Sequence, residues 1–344
     1  MADERPVALV TNVVPDYRRE PFRMLDEAEN VDVIAWGEPG ASQPAAVRAI
    51  ASGRYRAVIA GLGGRVALPG AYAAARRAHI PFVLWASMWD HPRTLAHRLS
   101  RLPTRAIYRG ADAVVTYGPH VTEYVNGHRT KGNVFEAPQA VDQGHFARPV
   151  GDDERAQARA RANAPGDAFL ALFVGRLETE KGIEVLTDAW READLKNATL
   201  AFAGTGPLNP PNALGQVQKA DLPALYAAAD AVVLPSIRTA TFTEPWGLVC
   251  NEAMHQGTPL IASDAVGAVA GGLVVDGRNG LVVPERDSDA LATRLRTLAH
   301  DPELRAKLGD AARADVANYT FDAWVQGMRN ALNAVGASRQ EASC

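Results

Sequence analysis

The sequence predicts an α/β protein built from two doubly wound parallel sheets. Short Val-, Ile- and Leu-rich runs alternate with longer Ala-, Leu- and Arg-containing helical stretches, and the runs fall into two sets separated by a charged segment. A length of 344 residues also suits two ordinary cores better than one. The first set of runs covers residues 7–12, 31–35, 57–60, 82–86, 113–116 and 134–136. The second covers 169–174, 199–203, 231–235, 260–262 and 280–283. Runs this short and this apolar read as strands buried on both faces, and strands separated by helices read as parallel. Residues 152–161 are densely charged and APGD follows at 164–167, so the expected domains are 1–150 and 151–319, with a C-terminal segment at 320–344. Two such domains would turn their strand C-termini, and hence their ligand-binding loops, toward one another.

Composition narrows the function classes. Apolar residues make up 47% and charged residues 22%, the balance of a soluble globular protein. A net charge of −3 gives no electrostatic reason to expect nucleic acid as a partner. The opening MADERPVALV runs from charges into a strand-like segment, and no stretch approaches the ~20 apolar residues that span a bilayer. Two cysteines, Cys250 and Cys344, without a CxxC or His-rich cluster, suggest neither a disulfide framework nor a metal site. The expected location is cytoplasmic.

The run FLALFVGRLETEKGIEVLTDAW stops as a strand at Gly175, and a helix resumes near Gly182 or Ile183. Gly175 permits close backbone approach, and the new helix N-terminus offers free amides and a positive dipole to an anion. Arg176 and Lys181 add two cations beside that point. Together they suit a diphosphate that gains charge as a group departs, without a metal; solvation of an ordinary loop fits the same spacing. The run AVVLPSIRTATFTEPWGLVCNEAMHQGTPLIAS carries Glu244 and, eight residues later, Glu252. On one helix that spacing leaves them about 12 Å apart and roughly 80° around the axis. They would grip separate parts of an extended ligand, with the amides of Gly247, Leu248 and Val249 on its phosphates. By spacing alone, a dipole-favoured glutamate and a solvent-exposed one are the favoured reading.

The runs GRLETEKG (175–182), AGTGPL (203–208), LPALYAAADAVVLPS (222–236), EPWGLVCNE with its E-x7-E spacing, EAMHQGTPLIASD and DGRNGLVVPERD (276–287) occur in that order. Together they resemble the retaining GT-B glycosyltransferases of family 4, over residues 168–330. The resemblance implies two facing Rossmann-like domains and a C-terminal helix, here TFDAWVQGMRNALNAV, that crosses back to the first. It implies that Arg176 and Lys181 contact a pyrophosphate, that Glu244 faces the transferred sugar and that Glu252 binds ribose hydroxyls. Gly204, Gly206 and Trp246 fall in the matching runs on the nucleotide side. No cofactor beyond the nucleotide sugar is implied, its base lying among UDP, GDP, ADP and dTDP. The segment LNPPNALGQVQKAD is short and proline-rich where the family has a helix and strand beside the base, which leaves the base open.

TNVVPDYRREPF resembles a subset pattern that would bring Asn12, Tyr17 and Arg18 to the acceptor side, although Arg18 and Arg19 also read as surface charges. PFVLWASMWDHPRT places Ser87, Trp89, Asp90 and His91 after a buried strand, with His91 and Asp90 the favoured sugar or acceptor contacts. Asp90 could equally cap a helix, and Asp142 in PQAVD reads as structural. Residues 93–109 hold five arginines, one histidine and no acid; Pro103 interrupts them, and a solvated face is favoured over a membrane contact. AGLGGRV imitates a dinucleotide loop but lacks its register, so NAD is set aside. The expected activity is transfer of a hexose to a carbohydrate, lipid-linked or natural-product acceptor. A sugar-nucleotide epimerase or hydrolase, or a non-catalytic nucleotide-sugar-binding subunit, is the alternative.

Overall fold

The computed structural model describes residues 4–91 and 93–339, with backbone only for 95–100. Cys344 lies outside the described residues. The chain forms two compact units, one from residues up to 139 together with those from 320 onward, the other from 140 to 319.

In the first unit, β1 (Val7–Thr11), β2 (Val31–Ala35), β3 (Ala57–Gly61), β4 (Phe82–Ala86), β5 (Ala113–Thr116) and β6 (Val134–Glu136) form one parallel sheet in the order β2-β1-β3-β4-β5-β6. In the second, β7 (Phe169–Val174), β8 (Ala198–Ala203), β9 (Ala231–Leu234), β10 (Leu260–Ser263) and β11 (Gly280–Val283) form another in the order β11-β10-β9-β7-β8. Every expected run is a strand. The central ones, β4, β5, β7 and β9, are buried along their whole length because helices cover both faces. Strand order reverses between β1 and β3 in the first sheet and between β7 and β9 in the second, which puts a crevice at the C-terminal ends of those pairs.

The C-terminal helix Phe321–Ala334 belongs to the first unit. Its buried stripe is Trp324, Val325, Met328, Ala331 and Leu332, packed with Leu9, Phe22 and Val115; Phe321 lies at its margin. Glu29, with no exposed surface, fastens the chain end there. Arg56 Nη2 donates to its carboxylate at 3.1 Å, Arg329 Nε and Ser338 Oγ each donate at 3.0 Å, and the Arg339 amide at 2.7 Å.

The charged segment at 152–161, expected to mark the domain boundary, lies inside the second unit. It is a helix, Asp152–Arg161, whose Ala158 is buried and whose Arg159 donates to the Ala228 carbonyl at 2.8 Å. The boundary falls earlier, between Gln139 and Ala140. Beyond it, Phe146 already packs on Tyr226 at 6.4 Å, and Gln256 Nε2 donates to the Phe146 and Arg148 carbonyls at 2.5 and 3.0 Å. Asp142 caps the short helix Gln143–Phe146, accepting from the His145 amide at 3.1 Å.

Replacing Glu29 with Ala leaves the Arg56 guanidinium buried without its counter-charge, a defect that typically costs about 3–5 kcal/mol. Urea unfolding followed by tryptophan fluorescence should show the first unit destabilised by that amount, with the second unit's transition unmoved.

Candidate active site

The crevice of the second sheet is built by turns that approach closely enough to exclude side chains. Gly182 ends the turn after β7 with φ 71°, and a Cβ there would stand 2.0 Å from the Pro235 carbonyl oxygen after β9. The Ile237 amide donates to the Glu180 carbonyl at 2.9 Å and locks the two loops together. Gly204, after β8, has the same constraint: a Cβ would lie 1.8 Å from the Gly175 carbonyl oxygen. The Gly175 amide donates to Ala203 and the Leu177 amide to Thr205, at 3.0 and 2.9 Å, so the expected Gly175, Gly204 and Gly206 shape one knot of backbone.

From this frame Lys181 reaches Glu244. Its Nζ pairs with Glu244 Oε2 while their side chains are only 13% and 8% exposed, and Ser236 Oγ donates to the same oxygen at 3.1 Å. The ammonium also lies 5.2 Å from the centre of the Phe242 ring. Arg176 projects outward, its side chain 56% exposed, and pairs with Glu178 and, at 3.4 Å, with Glu180. The helices Ile183–Ala193 and Leu248–His255 start behind Gly182 and Gly247 with no side-chain cap, so their first-turn amides, Leu248 and Val249 among them, remain for a ligand.

Glu244 does not share a helix with Glu252. It forms a bridge with Val266, and the Gly267 amide donates to its carbonyl at 3.1 Å; the helix begins only at Leu248. The E-x7-E spacing therefore spans a loop and a helix, and the helical geometry expected of it does not apply. Gly247, with φ 93°, makes the change of direction that ends the loop. Trp246 is 3% exposed; its indole N–H donates to Asn251 at 2.7 Å and its ring lies 5.7 Å from Tyr319. It supports the loop from within.

Glu252 is half-buried and not solvent-exposed, and it accepts the Tyr226 hydroxyl at 2.5 Å. Burial pushes its carboxyl up to about 7, against the opposing pull of the Tyr226 hydrogen bond and of Lys219. Burial, with Glu252 beside it, also raises Tyr226 well above its ordinary range. Ser236 and Tyr226 escaped the reading of the sequence as site residues. Ser236 had a signal, since it directly follows a buried strand at the sheet's reversal point, whereas nothing local marks Tyr226. The proline-rich 209–221 segment adds an edge to the sheet through the Phe202–Ala213 bridge, held by Asn212 Nδ2 on the Leu200 carbonyl at 3.0 Å.

The first sheet's crevice is a cavity of about 190 Å³ that gathers Asn12, Tyr17, Arg18 and Ser87, four residues expected on the acceptor side. Arg18 is no surface charge: it is 5% exposed and lies 4.8 Å from the centre of the Trp85 ring. It donates to Gln139 and, at 3.4 Å, to the Tyr117 hydroxyl. Its neighbour Arg19 is exposed and paired with Asp16 at 3.0 Å. Asp90 lies 3.6 Å from Arg93, and His91, half-buried, is not among the residues lining this cavity. Of the arginine-rich 93–109 stretch, Arg101 and Arg109 are exposed on the helix Leu95–Gly110, while Pro92 and the side chains at 95–100 lie outside the described residues. No described helix is long and apolar enough to cross a membrane, and no three described His, Cys, Asp or Glu residues are grouped to hold a metal ion.

Residues 154–315 match the family model "Glycosyl transferases group 1". The matched residues lie within the second unit. The chain is 33% identical over 218 residues to D-inositol 3-phosphate glycosyltransferase of Salinispora arenicola, covering 55% of this chain and 46% of that one. It is 33% identical over 181 residues to sulfoquinovosyl transferase SQD2 of Arabidopsis thaliana, covering 49% and 34%. The chain thus spans less than half the length of these relatives. Among solved structures, HepE of Anabaena in complex with UDP and glucose has a TM-score of 0.75 at 18% identity, covering 96% of this chain and all of that one. Sucrose-phosphate synthase from Thermosynechococcus elongatus has a TM-score of 0.74 at 22% identity, covering 94% and 97%. These likenesses and the two parallel sheets give the architecture as GT-B.

The raised Glu252 carboxyl makes stability depend on pH. Its folded value, about 7, lies above the ordinary 4.5, so its contribution is full below pH 4.5 and is lost as pH rises through 7. Relative to Glu252→Gln, the wild-type protein should therefore lose melting temperature between pH 5 and pH 8. A Tm difference that stays constant over that range would mean the carboxyl titrates normally.

Proposed function

We propose that the chain transfers a hexose from a nucleoside diphosphate donor to an acceptor hydroxyl, without a metal and with retention at the anomeric carbon. The Lys181–Glu244 pair carries the proposal: a sheltered cation and carboxylate meet where two uncapped helices begin, next to Arg176. In this reading Arg176, Lys181 and the helix amides take the diphosphate, and Glu244 accepts a hydroxyl of the transferred sugar. Glu252, backed by Tyr226, accepts the ribose hydroxyls. UDP is the first nucleotide to try, because the HepE structure holds UDP and glucose. The acceptor falls to the first unit, with Asn12, Tyr17 and Ser87 lining its cavity and Asp90 and His91 following the same strand.

As the sugar–phosphate bond breaks, its electron pair stays on the phosphate oxygen. The acceptor oxygen bonds to the anomeric carbon, and its proton passes to the departing phosphate on the same face. The protein contributes positioning and fixed charge, which stabilise the leaving group without reorganisation during the step.

Release of nucleoside diphosphate from a panel of sugar nucleotides, with the anomer of the product read by NMR, tests the reading. An inverted product overturns retention, and no turnover or binding of any donor overturns the activity. Arg176→Ala and Lys181→Ala should each lower turnover by about 10²–10³, the usual loss for one electrostatic donor. Turnover should persist in excess EDTA; abolition by the chelator with recovery on Mg²⁺ or Mn²⁺ would show a metal at the phosphates.

Glu244 also competes with the diphosphate for Lys181. Glu244→Gln frees the ammonium and should tighten binding of the free nucleoside diphosphate, on the order of tenfold or 1.4 kcal/mol, while lowering transfer. Calorimetric titration beside steady-state kinetics measures both, and weaker nucleotide binding would place Glu244 on the nucleotide instead.

A further inference from the structure

The first unit has a second concavity beside the Asn12–Arg18 cavity. It measures about 430 Å³ and opens between the turn after β3, the turn after β4 and the helix Leu95–Gly110. Leu62, Leu68, Pro69, Met88, Pro103 and Ile107 form its walls. Gln43 holds the turn after β3 in place, its Oε1 accepting from the Val66 and Ala67 amides at 2.8 and 3.0 Å. Leu62 and Ser87 line both cavities, so the two adjoin at the C-terminal ends of β3 and β4.

The chemistry of the lining decides what fits. Among the described residues around it, the polar side chains are Arg65, Ser87 and Thr104, with no carboxylate and no carboxamide. Sugar hydroxyls are recognised chiefly by carboxylates, which accept, and by carboxamides, which accept and donate. A mostly apolar lining with a few convergent polar groups is instead the pattern of a pocket for an apolar molecule with one polar end.

Resting on the glycosyltransferase reading, we infer that this pocket seats the apolar body of the acceptor. The acceptor is then an amphiphile whose reacting hydroxyl points past Ser87 toward the Asn12–Arg18 cavity, and not an all-polar sugar chain. The pocket takes the first segment of an alkyl chain or a small aryl group, and the probes below tell these apart.

The test uses the full chain and three glucosides that differ only in aglycone: methyl, 4-nitrophenyl and n-octyl, the last below its micelle concentration. Calorimetry should show the octyl or the nitrophenyl compound binding at least about tenfold more tightly than the methyl one, from the apolar area removed from water. Met88→Glu, which puts a charge in the wall, should erase that gain; Met88→Leu should keep it. Nucleoside diphosphate affinity, measured on the same variants, should not change, and an intact urea transition of the first unit reports that Met88→Glu has folded. Equal affinity for all three glucosides, no binding of any, or a gain that survives Met88→Glu overturns the inference. Failure of the underlying glycosyltransferase reading shows separately, as loss of nucleotide binding in the wild-type chain.

Discussion

Lys181 and Glu244 lie 63 residues apart in the chain, yet the second unit is arranged so that they meet almost out of water. Either charge alone at that depth would cost several kcal/mol, so each makes the other's position tenable. The pair needs two loops at nearly touching distance. That requirement explains Gly182 under the Pro235 carbonyl and the Ile237–Glu180 hydrogen bond beside it. It also explains the Glu244–Val266 bridge, which holds the second loop down after β10. In the proposed reaction the same neutral pair becomes two working charges once a diphosphate draws the ammonium and a sugar hydroxyl meets the carboxylate.

The first unit solves a different problem. Arg18 is buried, and among the described residues no carboxylate pairs with its guanidinium; the Trp85, Tyr17, Tyr117 and Trp324 rings lie within 4.8–5.7 Å, and Gln139 and Tyr117 accept its hydrogen bonds. Aromatic faces stabilise a cation without cancelling its charge, so the cavity beside it keeps a positive field. Trp324 comes from the C-terminal helix, which the Glu29 cluster fastens in place. The C-terminal helix thus helps to support the wall of the Asn12–Arg18 cavity, through one ring. Next to that polar cavity, the apolar pocket gives the unit two chemically distinct neighbouring surfaces.

Much of this was legible in the order of residues. All eleven strands follow from apolar runs, because a strand buried on both faces needs an uninterrupted apolar stretch and little else. The position of Arg176 and Lys181 after β7 follows from the same rule, since strand C-termini in a doubly wound sheet are where ligand groups collect. The glycines announced close backbone approach, though not what they approached.

Tertiary structure alone decided the partners. Whether Arg18 faces solvent or aromatic rings depends on residues 67 to 306 positions away, which no local pattern encodes. Folding set the Tyr226 hydroxyl on Glu252, and it turned the Trp246 indole inward to Asn251. The charged helix at 152–161 reads as a domain boundary in one dimension, because charge density reports solvent exposure and says nothing of which core the opposite face covers. Sequence determined where backbone is buried, through the local periodicity of apolar residues. Which side chains meet was left to the three-dimensional closure of the chain, because a contact's energy belongs to both partners and neither carries it in its own neighbourhood.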